Sequence, residues 1–98
     1  MADFLLLMHD DAVEPIREAD WNTYLDALGA SGALLGGSAV GGGACVRRAG
    51  PVPEISRRIV GYVKVRAADL DAARARVPGN PVYEAGGTVE VRELPRSR

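Results

Sequence analysis

One cysteine, one histidine, one tryptophan and one phenylalanine among 98 residues leave this chain short of the side chains that many enzymes and metal proteins use. Cys45 has no second cysteine to bond with, so an internal disulfide is excluded, and it lacks the CxxC partner or nearby histidine of a zinc site. A reducing compartment fits. Excess charge of one sign is missing as well. Twelve basic and 13 acidic residues give a formal net charge of −1, which offers no electrostatic footprint to nucleic acid or to an acidic membrane. The basic doublets Arg47-Arg48 and Arg57-Arg58 have no interleaved aromatics and read as solvated strand and loop ends. Long apolar runs are absent too. Residues 4–8 form the longest bulky stretch and stop at His9-Asp10-Asp11, too short for a signal segment or a membrane span and with no basic segment before it. The expectation is a cytoplasmic protein whose mature chain starts at Met1.

What is present is 47% hydrophobic residues in a length that suits one domain, residues 1–98, built as two layers around a modest core. Residues 3–9 predict a strand apolar on both faces, with Phe4, Leu6 and Met8 on one side and Leu5 and Leu7 on the other. Such a strand belongs in the middle of a covered sheet. From Pro15 or Asp20 onward, Trp21, Tyr24, Leu25 and Leu28 fall at i, i+3, i+4 and i+7, the spacing of one helical stripe, with Asp20 as a candidate N-cap and Gly29 or Gly32 as the stop. Residues 33–40 predict a strand of small residues. After Gly41-Gly42-Gly43, residues 44–48 are expected to form a short ribbon that turns at Ala49-Gly50-Pro51.

Residues 58–66 alternate Ile59, Gly61, Val63 and Val65 against Arg58, Val60, Tyr62, Lys64 and Arg66, the pattern of a long strand with a more polar second face. Asp69 caps a predicted helix with Leu70, Ala73 and Val77 on one side, and Pro78-Gly79 stops it. Residues 88–94 close the chain as a strand, Val89 and Val91 facing one way and Glu90 and Arg92 the other. The order is β-α-β-β-α-β, an α+β, ferredoxin-like unit whose four-stranded antiparallel sheet carries two helices on one face. Leu5, Leu7, Val60 and Tyr62 then lie on the other face, and contiguous apolar area of that kind marks an association surface. A second copy of the chain is the simplest cover, and two such sheets face to face make a dimeric α+β barrel.

No motif of strong chemical specificity accompanies this fold. Gly41-Gly42-Gly43 has no downstream Lys-Ser/Thr and opens no predicted helix, and no Gly-x-Ser-x-Gly elbow or His-Glu-x-x-His is found. His9, the lone histidine, and Asp11 would share a face if strand geometry continues past the strand's exit, and a carboxylate-oriented imidazole is a common general base. In the other reading His9 is a strand end bound to backbone and the aspartates are loop caps. Tyr62, Lys64, Arg66, Glu90 and Arg92 could line a pocket for a small polar or aromatic acid, or form ion pairs across a dimer interface. Tyr83-Glu84 could close over a pocket or simply turn the chain. Cys45 with Arg47 beside it could be a nucleophile or a half-buried strand thiol. Trp21 and Tyr24 read as helix core. No metal or cofactor is expected.

The segments FLLLMHDD at residues 4–11, LLGGSA at 34–39, Gly61-Tyr62, ADLDAA at 68–73 and GNPVYEAGGTVEVRELP at 79–95 together resemble the YCII-related family, small bacterial cytosolic proteins of the dimeric ferredoxin-like barrel type. The Asp-Gly-Pro-Phe signature of one large branch is missing, since residues 51–57 read PVPEISR. In the family a helical His and an Asp before the last strand have been proposed as a catalytic pair. Here those positions hold Trp21 and Asn80, neither of which trades protons near neutral pH. The resemblance therefore implies a shape more than a reaction. The leading expectation is a homodimer whose inter-sheet cleft, mouthed by His9, Asp11, Ser38, Tyr62 and Tyr83, binds or converts a small polar organic metabolite. In an enzyme of this kind His9 would carry the proton and Asp11 would orient it, with Ser38, Tyr62 and Tyr83 contacting substrate. The alternatives are a non-catalytic ligand sensor and a protein-interaction module.

Overall fold

Alternating side chains and a few capping residues account for most of the architecture. The computed structural model describes residues 1–95. The elements run β1 (Ala2–His9), α1 (Glu18–Ser31), β2 (Leu34–Ala39), β3 (Ile59–Ala67), α2 (Leu70–Arg74), α3 (Pro81–Glu84) and β4 (Val89–Leu94). The four strands form one sheet in the order β2-β3-β1-β4, antiparallel at every pairing. This is the ferredoxin-like βαββαβ arrangement, with β1 and β3 at the centre.

One face of the sheet is the core. Phe4, Leu6 and Met8 of β1 and Val63 and Val65 of β3 are buried there against Tyr24 and Leu28 of α1, Ala73 of α2 and Val82 of α3. Burial along β1 follows the strand period of two, Phe4, Leu6 and Met8 being enclosed while Leu5, Leu7 and His9 are only half-buried. The smallest dimension of the molecule is 18 Å, room for a sheet and one layer of helices. Among the described residues no helix layer lies over the other sheet face.

Cap chemistry decides where the helices begin and end. Asp20 is not the N-cap of α1. The helix starts a turn earlier, after Arg17, and Asp20 sits at its third position, where the carboxylate accepts the Arg17 backbone N–H at 3.2 Å. Gly32, with φ +80°, ends α1 in the left-handed conformation that glycine adopts without steric cost. Asp69 caps α2 as expected by accepting the Ala72 N–H at 2.8 Å. That helix stops at Arg74, short of Val77, and Leu70 is half exposed rather than packed in the core.

Two further segments depart from the sequence reading. Residues 44–48 form no ribbon. Glycines 41–43 raise the entropic cost of ordering the region and Pro51 and Pro53 lack backbone donors, so it stays irregular and Cys45 is a half-buried loop thiol rather than a strand residue. Tyr83-Glu84 is not a loop but part of α3, because Asn80 accepts the Val82 and Tyr83 N–H groups at 2.9 and 3.3 Å and Pro81 follows at the first helical position. Among the described residues no helix is long and apolar enough to cross a membrane.

Candidate functional site

Strand pairing places the polar groups of the uncovered sheet face in rows. Ser38, Tyr62, Leu7 and Glu90 lie side by side across β2, β3, β1 and β4, and Lys64, Leu5 and Arg92 form the next row. Directly paired residues of an antiparallel sheet point to the same side, so these rows share one face. Its centre is apolar, with Leu5, Leu7, Val60 and Tyr62. Its margins are charged. At one end Asp3 stands 3.7 Å from the Lys64 ammonium and 3.6 Å from the Arg66 guanidinium.

At the other end is the chain's histidine. His9 Nε2 donates to Glu90 Oε1 at 2.9 Å, and Arg92 Nη1 donates to Glu90 Oε2 at 3.0 Å, so one carboxylate joins an imidazole to a guanidinium. His9 reaches Glu90 because it is two residues beyond Leu7, the residue directly opposite Glu90, and diagonal neighbours on a sheet face come within reach of long side chains. The hydrogen bonds from His9 and from Arg92 hold the Glu90 carboxyl below its ordinary pKa, against a smaller opposing effect of desolvation. The His9 side chain retains only 13% of its accessible surface. Beside Glu90 lies a depression of about 540 Å³ lined by Leu7, Ser56, Arg57, Arg58 and Ile59 as well.

The other anticipated site residues are placed differently. β1 ends at His9, with a register irregularity between Met8 and His9, and Asp11 bonds to Thr88 rather than to His9. Its carboxylate accepts the Thr88 hydroxyl at 2.6 Å and the Thr88 backbone N–H at 2.8 Å, and these two bonds lower its pKa. Asp11 therefore clamps the exit of β1 to the entry of β4, and the carboxylate that orients His9 is Glu90. Ser38 and Tyr62 are cross-strand partners on the open face, and the Ser38 hydroxyl donates to the Ala39 carbonyl at 2.8 Å. Tyr83 belongs to α3, which packs on α1 in the helix layer, so the structure does not bring it to His9.

The two positions that answer to the family's proposed pair are structural here. Asn80 is fully buried as the cap of α3, and its Nδ2 has no hydrogen-bond partner among the described residues. Trp21 is half-buried and meets the Tyr24 ring edge to face, with centroids 6.1 Å apart. Burial raises the Tyr24 pKa, offset in part by the Asn80 amide beside it, and the hydroxyl donates to the Arg76 carbonyl at 2.7 Å. Among the described residues no group of three or more His, Cys, Asp and Glu side chains stands close enough together to hold a metal ion. Sequence reasoning placed Glu90 in a pocket or an interfacial ion pair without its bond to His9, and set Arg57 and Arg58 aside as solvated strand and loop ends. The signal for Glu90 was its place on the polar face of the last strand.

Comparison with curated proteins finds no match. Residues 4–96 match the model of the YCII-related domain, nearly the whole chain, and the protein belongs to that family.

Proposed function

We propose that two copies of this chain pair through their open sheet faces and that the cleft between them binds a small polar organic metabolite carrying a carboxylate, with His9 as the proton-carrying group. The observation that carries this reading is the His9–Glu90–Arg92 chain, set on the sheet face over which no helix lies among the described residues. A carboxylate only accepts hydrogen bonds, so the bond to Glu90 keeps the proton on Nε2 and leaves Nδ1 of the neutral ring as a base toward a ligand. Arg57 and Arg58 border the adjacent depression and supply the cations that a carboxylate ligand needs, while Leu7 and Ile59 supply an apolar wall. A second copy suits the face because its margins carry both signs. Asp3, Lys64 and Arg66 at one end and Glu90 and Arg92 at the other let a two-fold related copy meet opposite charge.

A thermal-shift panel of small aromatic and aliphatic carboxylates against the wild type, His9→Ala and Glu90→Gln tests the site. A ligand at tenfold excess over its Kd stabilises by about 1.4 kcal/mol, a rise of about 6–11 °C for a domain of this size. The expected result is a rise in the wild type that disappears in His9→Ala and is reduced in Glu90→Gln. A rise of equal size in all three would remove His9 from the site and leave a ligand sensor that does not use it. No rise with any carboxylate would remove the ligand itself.

A further inference from the structure

Residues 41–57 are the part of the chain that its own fold uses least. Among the described residues no backbone hydrogen bond holds them, and all but Cys45 and Ile55 are exposed. Val46 keeps 94% of its accessible surface, and the segment's side-chain bonding is limited to Arg47 Nη1, which donates to the Pro51 carbonyl at 2.8 Å. The radius of gyration is 14.9 Å, against about 13 Å for a compact domain of 100 residues. The segment stands out as an arm. We propose that this arm pairs as a strand with the outer edge of β4 in a second copy of the chain and brings Arg47 to the partner's Glu90. Such an exchange rests on the pairing of open sheet faces and gives the His9–Glu90–Arg92 group a cation that one chain alone does not bring to it.

Both halves of the pair are written in the sequence. Residues 44–48 carry the pattern of a short ribbon between Gly41-Gly42-Gly43 and Gly50-Pro51, yet no strand of the same chain lies alongside to order them. β4 is an edge strand, flanked by β1 on one side only, and an unpaired edge is a template for a further strand. The chain's own β4 cannot serve, since β3 and β1 stand between it and the arm's roots at Ala39 and Ile59. The other edge, β2, suits less because a register irregularity interrupts it before Gly36 and it holds no carboxylate. Charge selects the same partner. Residues 40–58 hold four arginines and one glutamate, while the rest of the chain has eight basic and 12 acidic residues.

The topology brings the two segments together. A two-fold axis along the strands, between facing sheets, lays the order β2-β3-β1-β4 over its reverse, so β2 lies over the partner's β4. The same axis sets Asp3 of β1 over the partner's β3, which carries Lys64 and Arg66. Ala39 pairs with Gly61, Gly61 with Met8 and Met8 with Val89, so the arm leaves the sheet at the level of Val89 and Glu90. Facing sheets pack about 10 Å apart, and the seven residues from Ala39 to Val46 span up to about 23 Å. An antiparallel register with Arg47 opposite the partner's Glu90 places Val46 beside the partner's Val91. Side chains then match on both sides, because Glu90 is on the open face and Val91 on the helix-covered one.

A nitroxide attached at Ala49→Cys in a Cys45→Ser background sits at an exposed position just past the pairing segment. This spin-labelled chain is mixed with nitrogen-15-labelled Cys45→Ser chain, so that any loss of amide signal arises between copies. The expected result is a selective loss at residues 89–94, abolished when the nitroxide is reduced. Val46→Pro removes a backbone donor from the segment at a position that packs on nothing in its own chain. It is expected to raise the dimer dissociation constant at least tenfold with unchanged far-ultraviolet circular dichroism. No loss at residues 89–94 in a mixture that sediments as dimer overturns the exchange and leaves the pairing of the sheets standing. Loss confined to residues 34–39 overturns the choice of edge. Equal dissociation constants for Val46→Pro and the wild type remove the strand pairing, and a chain that sediments as monomer removes the exchange together with the sheet pairing.

Discussion

Asp11 and Glu90 are both carboxylates held below their ordinary pKa, but by different neighbours and for different ends. Asp11 is lowered chiefly by the Thr88 hydroxyl and then by the Thr88 N–H, and both bonds belong to the join between β1 and β4. A group whose folded pKa is depressed stabilises the native state at pH above its unfolded value, and that contribution is lost as the pH falls through the folded one. Asp11→Ala is therefore expected to be less stable than the wild type near neutral pH. The two should converge as the pH drops below the ordinary aspartate value of about 4. Urea midpoints measured across that range check it, and a difference that stays constant with pH would mean that Asp11 acts through packing alone. The same pair of residues explains how much of the site could be seen beforehand. His9 was legible as the one imidazole at the end of a central strand. Its partner was not, because alternation says which residues share a strand face but not which strand lies alongside. The bond to Glu90 spans 81 positions of sequence and exists only through the β1–β4 register.

At the scale of the elements, strands were easier to foresee than helix ends. A strand declares itself by period two over its whole length, and β1, β3 and β4 lie within a residue or so of their expected bounds. A helix end depends on which of several capping residues the chain uses. Asp20 has the chemistry of an N-cap and serves instead at the third position of α1, since Arg17 and Asp20 can close a capping interaction one turn earlier. Asn80-Pro81 is the converse case, a start signal followed by too few residues to show a helical stripe, and α3 spans only Pro81–Glu84. That turn depends on one side chain. Asn80 Oδ1 receives two backbone N–H groups while fully buried, so Asn80→Ala leaves both donors without an acceptor in a dry environment. The expected loss is about 1–2 kcal/mol, read from the urea midpoint at unchanged m-value. A variant as stable as the wild type would show that the unpartnered Nδ2 costs as much as the cap contributes.

For the whole molecule the governing fact is the mismatch between a sheet apolar on both sides and helices sufficient for one. Leu6 and Leu7 are adjacent in sequence, yet Leu6 is fully enclosed by the helix layer and Leu7 sits on the open face with Leu5, Val60 and Tyr62. If a second copy covers that face, the two leucines contribute to different equilibria. Leu6→Ala removes buried methyl groups from the core of one chain and should lower folding stability by about 2–5 kcal/mol. Leu7→Glu leaves that core untouched and places two carboxylates near one another across a two-fold axis, where like charges in a desolvated interface oppose association. The expected result by sedimentation equilibrium is a dimer for the wild type and a monomer for Leu7→Glu, with the far-ultraviolet circular dichroism of the two unchanged. A wild type that stays monomeric and cooperatively folded at every concentration would show that an open face of this size is tolerated in water. The cleft between sheets would then be lost as a binding site, and the His9–Glu90–Arg92 chain would face water.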